Sequence, residues 1–243
     1  MNLILDVGNT RVKLAVFKED TLMEQEVFDK EEIVSEVQKK CNKNKISGAI
    51  ISSVAKLSDD KIKKIEEIVP LVILNHATKI PFVNKYATPT TLGVDRIALA
   101  AAAVVKYPKQ NVLVIDAGTC ITFDFINEKG EFLGGAISPG LKMRYEALHN
   151  YTAKLPLLSA EIPKNFIGDT TVSAIHSGVV NGLCNEIKGI IHQYQQEFYN
   201  LTVVLTGGDT NFLAKQLKNG IFAHPNFVLE GLQTILNYNT TND

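Results

Sequence analysis

Cysteine is scarce in this sequence. Its three cysteines, Cys41, Cys120 and Cys184, are unevenly spaced along 243 residues, with neither a Cys-x-x-Cys pair nor a nearby histidine at zinc spacing. That leaves no basis for a zinc site, and the thiols read as small buried apolar side chains in a reducing compartment. Net charge is nearly absent as well: the formal value is -1, the pI is near 6.5 and no run of basic residues appears. Nothing here attracts nucleic acid at long range. Long apolar runs are missing too. The longest, Ile97 to Val105, is nine residues, well short of the roughly 20 that span a bilayer. The N-terminus enters a strand within two residues and lacks a basic segment followed by an apolar core, so no export signal is read. The chain is expected in the cytoplasm, with no membrane partner.

What is present is organised around the opening stretch. Leu3 to Phe17 reads as an apolar strand, a polar glycine turn and a returning strand. Asp6 ends the first strand. Gly8 can adopt positive φ and lets backbone N–H groups approach a phosphate, while Asn9, Thr10 and Lys13 add donors beside it. A carboxylate next to an anion site repels phosphate unless a divalent cation lies between them, which makes Asp6 a candidate Mg²⁺ partner. The same pattern recurs from Leu113 to Ile126, with Asp116, Gly118 and Thr119 at its turn. Two such hairpins about half a chain apart indicate a duplicated domain, and a 45% apolar composition allows each half its own core.

Along the first half, Asp29 is expected to cap a helix from Lys30 to about Cys41, the apolar run from Ala49 to Ile51 within Lys45 to Ser53 reads as a buried strand ending in Ser52-Ser53, and Ser58 caps a second helix that Pro70 ends. Leu71 to Leu74 gives another short strand. Strands alternating with helices mean an α/β architecture. Asn75 to Leu92, with its prolines and Tyr86, is irregular, and such a segment inside a compact domain is often functional. It runs into Gly93-Val94-Asp95-Arg96 and a helix of small residues that must be packed on nearly all sides. Asp95 and Arg96 at the mouth of that helix are either a helix-start carboxylate plus a surface arginine, or two charges acting on one small polar substrate.

In the second half, Glu131 to Ser138 reads as a strand whose Gly134-Gly135 pair suits close ligand approach or a bulge. A helix follows around Leu141 to His149, then a loop from Asn150 to Ile167. Thr170 to Tyr199 has the spacing of one long helix or two in series. Gly178, Gly182 and Gly189 beside its apolar stripe suggest tight packing against another backbone, a symmetric dimer partner being one candidate. Leu201 to Thr206 is a strand, and Gly207-Gly208-Asp209 lets a flat ring system lie against main chain, as an adenosine site requires. Phe227 to Leu236 is expected to close the second half, and Asn237 to Asp243 to be a frayed polar tail.

The two Asp-x-Gly-Asn/Thr hairpins and the Thr-Gly-Gly-Asp turn together resemble the acetate and sugar kinase, Hsp70 and actin superfamily. Within it, the chain is most similar to the type III pantothenate kinases. That family carries Asp-x-Gly-Asn-Thr-x-x-Lys, here Asp6 to Lys13, Gly-x-Asp-Arg at Gly93 to Arg96, and Asp-x-Gly-Thr at Asp116 to Thr119. It also carries Gly-Gly-x-Ile-x-Pro-Gly at Gly134 to Gly140 and Thr-x-x-Ala-x-x-x-Gly at Thr171 to Gly178. One departure is visible: the family usually has Asn before the last motif's threonine, where this chain has Thr170.

The resemblance implies an α/β fold of duplicated ribonuclease H-like, actin-like ATPase domains, with mixed sheets flanked by helices and the active-site cleft between the halves. Residues 1–108 would form the first half and 109–243 the second. ATP would be held by Asp6, Val7, Gly8, Asn9, Thr10, Arg11, Val12 and Lys13, and by Thr119, with Mg²⁺ reaching Asp6 through ATP. Pantothenate would meet Tyr86, Gly93, Val94, Asp95, Arg96 and Thr171, with Asp95 as proton acceptor and Arg96 on the carboxylate. Asp116 would hold a monovalent cation, K⁺ or NH₄⁺. The implied assembly is a homodimer with a shared active site. The implied activity is ATP-dependent phosphorylation of pantothenate to 4'-phosphopantothenate, the first step of coenzyme A biosynthesis. A sugar-type kinase of the same superfamily would not need Arg96 as a carboxylate clamp. A catalytically silent transcription accessory relative would not need Asp6, Lys13, Asp95 and Asp116 together. His149 and His176 lie outside the matched pattern and read as structural.

Overall fold

The opening alternation folds as a hairpin. Strands β1 (Asn2–Val7) and β2 (Arg11–Lys18) pair antiparallel, with Asp6 opposite Lys13 and Val7 opposite Val12. A third strand, β3 (Thr21–Asp29), extends the meander. It was not anticipated, because two of its half-buried positions are Glu24 and Glu26 rather than apolar residues. Both carboxylates meet Lys40, at 2.9 and 2.6 Å, and the Lys40 side chain is only 3% exposed. The cation satisfies charges that would otherwise keep this face of the strand in water.

A 3₁₀ turn over Lys30–Glu32, in which Glu32 Oε2 accepts the Asp29 N–H at 3.3 Å, leads into helix α1 (Ile33–Lys43). Strand β4 (Gly48–Ser53) then lies parallel to β1, and helix α2 (Asp59–Ile68) starts where Ser58 Oγ accepts the Lys61 N–H. Strand β5 (Leu71–Ile73) closes the sheet in the order β3-β2-β1-β4-β5. Its apolar face, with Leu3, Leu5, Val7, Leu14 and Ile51, packs with Ile33, Val37 and Ile65 of the two helices. The irregular stretch that follows holds one short strand, β6 (Val83–Asn84), before helix α3 (Val94–Lys106).

The second hairpin is β7 (Asn111–Ala117) and β8 (Cys120–Ile126), continued by β9 (Glu131–Pro139) and helix α4 (Leu141–Asn150). After a loop come α5 (Thr171–His176) and α6 (Gly182–Glu197), joined by a π turn over Ser177–Asn181, so that the helix is continuous. Strand β10 (Leu201–Thr206), helix α7 (Thr210–Ala214) and strand β11 (Ile221–Ala223) follow. The strands run in the order β11-β10-β7-β8-β9, the same arrangement of a hairpin, a third strand and two parallel strands as in the first sheet. This is the duplication that the two hairpins signalled.

The computed structural model describes residues 1–8, 11–53, 57–217 and 220–241, and their contacts separate into two compact units. The first comprises Met1–Pro108, Gly130–Phe132 and Phe227–Asp243; the second comprises Lys109–Lys129 and Leu133–Asn226. The last apolar stretch therefore belongs to the first unit, which corrects its assignment to the second half. Helix α8 (Phe227–Thr241) packs on α3, β1 and β4. The alanines of α3 permit that approach: a Cβ placed on Gly231 would lie 1.8 Å from the Ala98 carbonyl oxygen. Nor is Asn237 to Thr241 a frayed tail; Asn242 and Asp243 lie outside the described residues. Asn237 accepts from Asn2 Nδ2 at 2.9 Å, Asn239 donates to the Lys79 carbonyl at 2.9 Å, and the helix runs to Thr241. Gly231→Leu is expected to lower stability by about 3 kcal/mol by overpacking this backbone contact, measured as a shift in urea midpoint at unchanged slope. Among the described residues, no helix is long and apolar enough to cross a membrane.

Candidate active site

In the first unit, the end of β1 and the start of α3 assemble one polar corner. Asp6 faces the same side of the sheet as Ile4, and its cross-strand neighbour is Lys13. Across the parallel pair, Asp6 is in register with Ser52, which is fully buried. The turn itself closes with the Gly8 N–H donating to the Arg11 carbonyl at 3.0 Å. Val7 and Val12 are core residues, so only their main chain can serve a ligand. Arg11 is exposed, its Nε 3.6 Å from Asp29 Oδ1. Asn9 and Thr10 lie outside the described residues.

Burial pushes the Asp6 carboxyl up to about 6; Lys13 opposes the shift and the nearby Asp95 carboxylate adds to it. The folded chain thus holds this proton more tightly than the unfolded chain, whose carboxyl titrates near 3.8. Stability falls as pH rises through the window between those two values, by about 2–3 kcal/mol in total. If Asp6 takes a cation, it must do so in the ionised form. We expect kcat/KM for ATP to fall about tenfold per pH unit below about pH 6, with the limb moving to lower pH in the kcat profile measured at saturating MgATP. A flat profile down to pH 5 would remove Asp6 from the site.

Asp95 and Arg96 occupy the first turn of α3. Asp95 Oδ1 accepts the Arg96 N–H at 2.9 Å, and a Cβ on Gly93 would lie 2.4 Å from that same oxygen, so glycine is what lets the carboxylate fold back over the helix start. Arg96 is not the surface arginine of the simpler alternative, being 6% exposed. Its guanidinium carbon lies 5.6 Å from the ring centroid of Tyr86 and 5.7 Å from that of Phe132. Tyr86 is held by its own N–H, which donates to Asn84 Oδ1 at 3.0 Å, and β6 pairs with the first residues of β9, Asn84 opposite Phe132. Phe132 was not singled out from the sequence. It comes from a segment of three residues, Gly130–Phe132, that the chain contributes to the first unit out of the middle of the second.

In the second unit, Asp116 is the last residue but one of β7 and Thr119 is exposed at the turn. Glycines buttress that turn from behind. A Cβ on Gly140 would fall 2.2 Å from the Gly118 carbonyl oxygen and one on Gly207, at φ +95°, 2.3 Å from Asp116 Oδ1. The Asp209 N–H donates to the Ala117 carbonyl at 2.9 Å. Gly207 thus lets the Asp116 carboxylate approach the main chain closely, whereas a Cβ on Gly208 would meet no protein atom within 4 Å. Gly135 is neither a ligand cradle nor optional: its Cβ would fall 1.6 Å from the Phe123 carbonyl oxygen of β8. A cavity of 450 Å³ opens beside the Gly208-Asp209 turn, bounded by Leu141, Tyr145, Leu157, Leu158, Ala160 and Asp209. Burial holds the Asp209 carboxyl above its usual range.

Thr170 is the N-cap of α5, its Oγ1 accepting the Ser173 N–H at 3.1 Å, and Thr171 is exposed on the first turn. The cap role occupies Thr170 and leaves Thr171 as the threonine offered outward. His176 is buried and its Nδ1 lies 2.8 Å from the Tyr145 hydroxyl, while His149 Nδ1 lies 2.8 Å from the Leu155 carbonyl; both histidines are structural. Cys120 is exposed, unlike the buried thiol expected, because it opens β8 directly after the turn and points outward; Cys184 is buried and Cys41 half-buried.

The type III pantothenate kinase family matches residues 2–193. The chain belongs to that family. A type III pantothenate kinase from Flavobacterium johnsoniae is 51% identical over 244 residues, covering 100% of both chains. Among solved structures, a conserved protein from Campylobacter jejuni assigned to the Baf family of transcriptional activators is 21% identical at a TM-score of 0.66, covering 98% of this chain and 99% of that one. A glucokinase from an Antarctic psychrotroph is 11% identical at a TM-score of 0.55, covering 98% of each chain. At those identities the likeness shows a shared fold, that of the actin-like ATPases and sugar kinases: α/β, with mixed sheets flanked by helices. Each unit has one acidic turn, at Asp6 and at Asp116.

Proposed function

We propose that Asp95 accepts the proton of pantothenate's primary hydroxyl and that Arg96 clamps its carboxylate while the chain carries out its family's reaction. That reaction is the phosphorylation of pantothenate by ATP to 4'-phosphopantothenate, the first step of coenzyme A biosynthesis, and the chain is a kinase. The hydroxyl oxygen bonds to the γ-phosphorus, the bond from that phosphorus to the ADP oxygen breaks, and the proton passes to Asp95. Phosphoryl transfer through a loose transition state needs alignment and charge neutralisation more than covalent help. A carboxylate fixed by the Arg96 N–H beside a buried guanidinium supports this division of roles. Tyr86, Gly93 and Val94 line the same helix start, and Thr171 completes the substrate site.

Phosphate binding falls to the main chain from Asp6 to Lys13, with the Lys13 ammonium, and to Thr119 in the corresponding turn of the second unit. No group of three or more acidic, histidine or cysteine side chains that could hold a metal occurs among the described residues. Asp6 alone suits Mg²⁺, which keeps several waters and takes phosphate oxygens beside one or two carboxylates. When bound, Mg²⁺ offsets charge on the transferring phosphate; Asp6 orients it. The cavity beside Gly208-Asp209 suits the adenosine.

Asp116, the acidic residue of the second unit's turn, is the residue assigned to K⁺ or NH₄⁺. Turnover is expected to require one of these ions, and Asp116→Ala to abolish the requirement together with most activity. Full activity in a sodium-only buffer would count against the assignment. The reaction runs in the cytoplasm, on a homodimer whose pantothenate site the neighbouring protomer completes. Substrate class is tested by ADP release against pantothenate, glucose, N-acetylglucosamine and acetate. A signal from pantothenate alone is the expected result, and a sugar signal alone would establish a different kinase.

A further inference from the structure

We propose that Phe132 is a specificity-determining positioning residue: with Tyr86 it packs against the Arg96 guanidinium and thereby sets the preference for an alcohol that carries a carboxylate. The inference rests on Arg96 being the carboxylate clamp. Three rings and one cation form the cluster. Phe132 is fully buried, lies 6.2 Å from Phe82 and 6.0 Å from Tyr86 between ring centroids, and is 5.7 Å from the guanidinium carbon. A guanidinium is weakly hydrated and planar, so aromatic faces can replace its water without neutralising its charge. The fork is thereby held in one place, against both rings.

The backbone around Phe132 is built for this position. The Lys85 N–H donates to the Phe132 carbonyl at 2.9 Å and the Val83 N–H to the Gly130 carbonyl at 3.0 Å, so β6 carries Tyr86 past Phe132 in fixed register. The Lys85 ammonium lies 3.8 Å from Glu131 Oε1 beside that pairing. A residue whose only duty was to fill core space could be replaced by any apolar side chain of similar size. Phe132 in addition supplies one of the two ring faces against the cation.

The experiment compares pantothenate with pantothenol, in which a primary alcohol replaces the carboxylate, in four proteins: the parent, Phe132→Leu, Arg96→Gln and the double variant. Phe132→Leu is expected to raise KM for pantothenate about tenfold, the scale of a desolvated cation–π contact, with kcat and the KM for pantothenol within about twofold. In the Arg96→Gln background the same change is expected to do nothing further, because Phe132 acts through Arg96. An equal rise for both substrates, or an equal effect in both backgrounds, would reduce Phe132 to packing and overturn the proposal. If Arg96→Gln itself leaves the ratio between the two substrates unchanged, the clamp assignment fails instead. Circular dichroism and thermal melts check folding. Should Phe132→Leu not fold, Phe132→Met removes the ring at nearer to native volume and is held to the same outcomes.

Discussion

Asp95→Asn is expected to lower kcat by about 10² or more, the usual loss on removing a general base, while the Kd for ATP stays within about threefold of the parent. The substitution is nearly isosteric. Asparagine retains an oxygen to accept the Arg96 N–H, so the helix start that now holds Asp95 at 2.9 Å from that nitrogen is preserved. What disappears is a group able to take the hydroxyl proton as the bond to phosphorus forms. A second effect comes with the first. The Asp95 carboxylate is one of the charges that raise the Asp6 carboxyl to about 6, so its removal should draw the acid limb assigned to Asp6 to lower pH. A variant that is slow and also shifted in this limb has lost a carboxylate beside Asp6. Turnover within a few-fold of the parent would sink the assignment of Asp95 as proton acceptor, whatever the limb does.

The parts of this molecule legible in its sequence are those where local chemistry and tertiary role agree. The hairpins at Asp6 and Asp116 declare themselves because apolar alternation brackets a glycine turn, and both fold as paired strands. Strand β3 was hidden because its inward carboxylates are answered by Lys40, a partner that lies elsewhere in the chain and has no local signature. Helix α8 was visible as an apolar segment, but nothing in its own pattern says which sheet it covers. Only the contact of Gly231 with Ala98 makes the alanine run of α3 and the late glycine parts of one feature. The same holds for the glycines at 135, 140 and 207. Those at 135 and 207 were readable as sites of close approach and the one at 140 only as part of a motif, yet the approaching group proved in each case to be the chain's own carbonyl or carboxylate rather than a ligand. Arg96 was placed correctly at a helix mouth. Its burial against two adjacent rings depends on Phe132, 36 positions later in the chain, and no spacing rule joins the two.

Gly182→Phe is expected to give a folded monomer with pantothenate turnover lowered at least about tenfold, and the glycines of the long helix supply the reason. Gly178, Gly182 and Gly189 were expected to pack tightly against a backbone, but in this chain a Cβ on any of them would meet nothing within 4 Å. That space, with Gly182 itself exposed, argues against overpacking inside the protomer as the cause of a loss of function. Gly182 has helical dihedrals, φ -59° and ψ -49°, that any L residue adopts, so the side chain enters without backbone strain. Leaving glycine should if anything favour the helix, by up to about 1 kcal/mol. Across a two-fold axis the same ring is inserted twice into one self-complementary surface. Thr171 opens the run of helix to which Gly182 belongs and is exposed, so a partner seated on these glycines is placed to receive it. Sedimentation should show the parent as a dimer and the variant as a monomer, circular dichroism should show the two equally folded, and added ATP should bind both. A variant that stays dimeric and active moves the partner surface off this helix. A parent that sediments as a fully active monomer removes the shared site altogether.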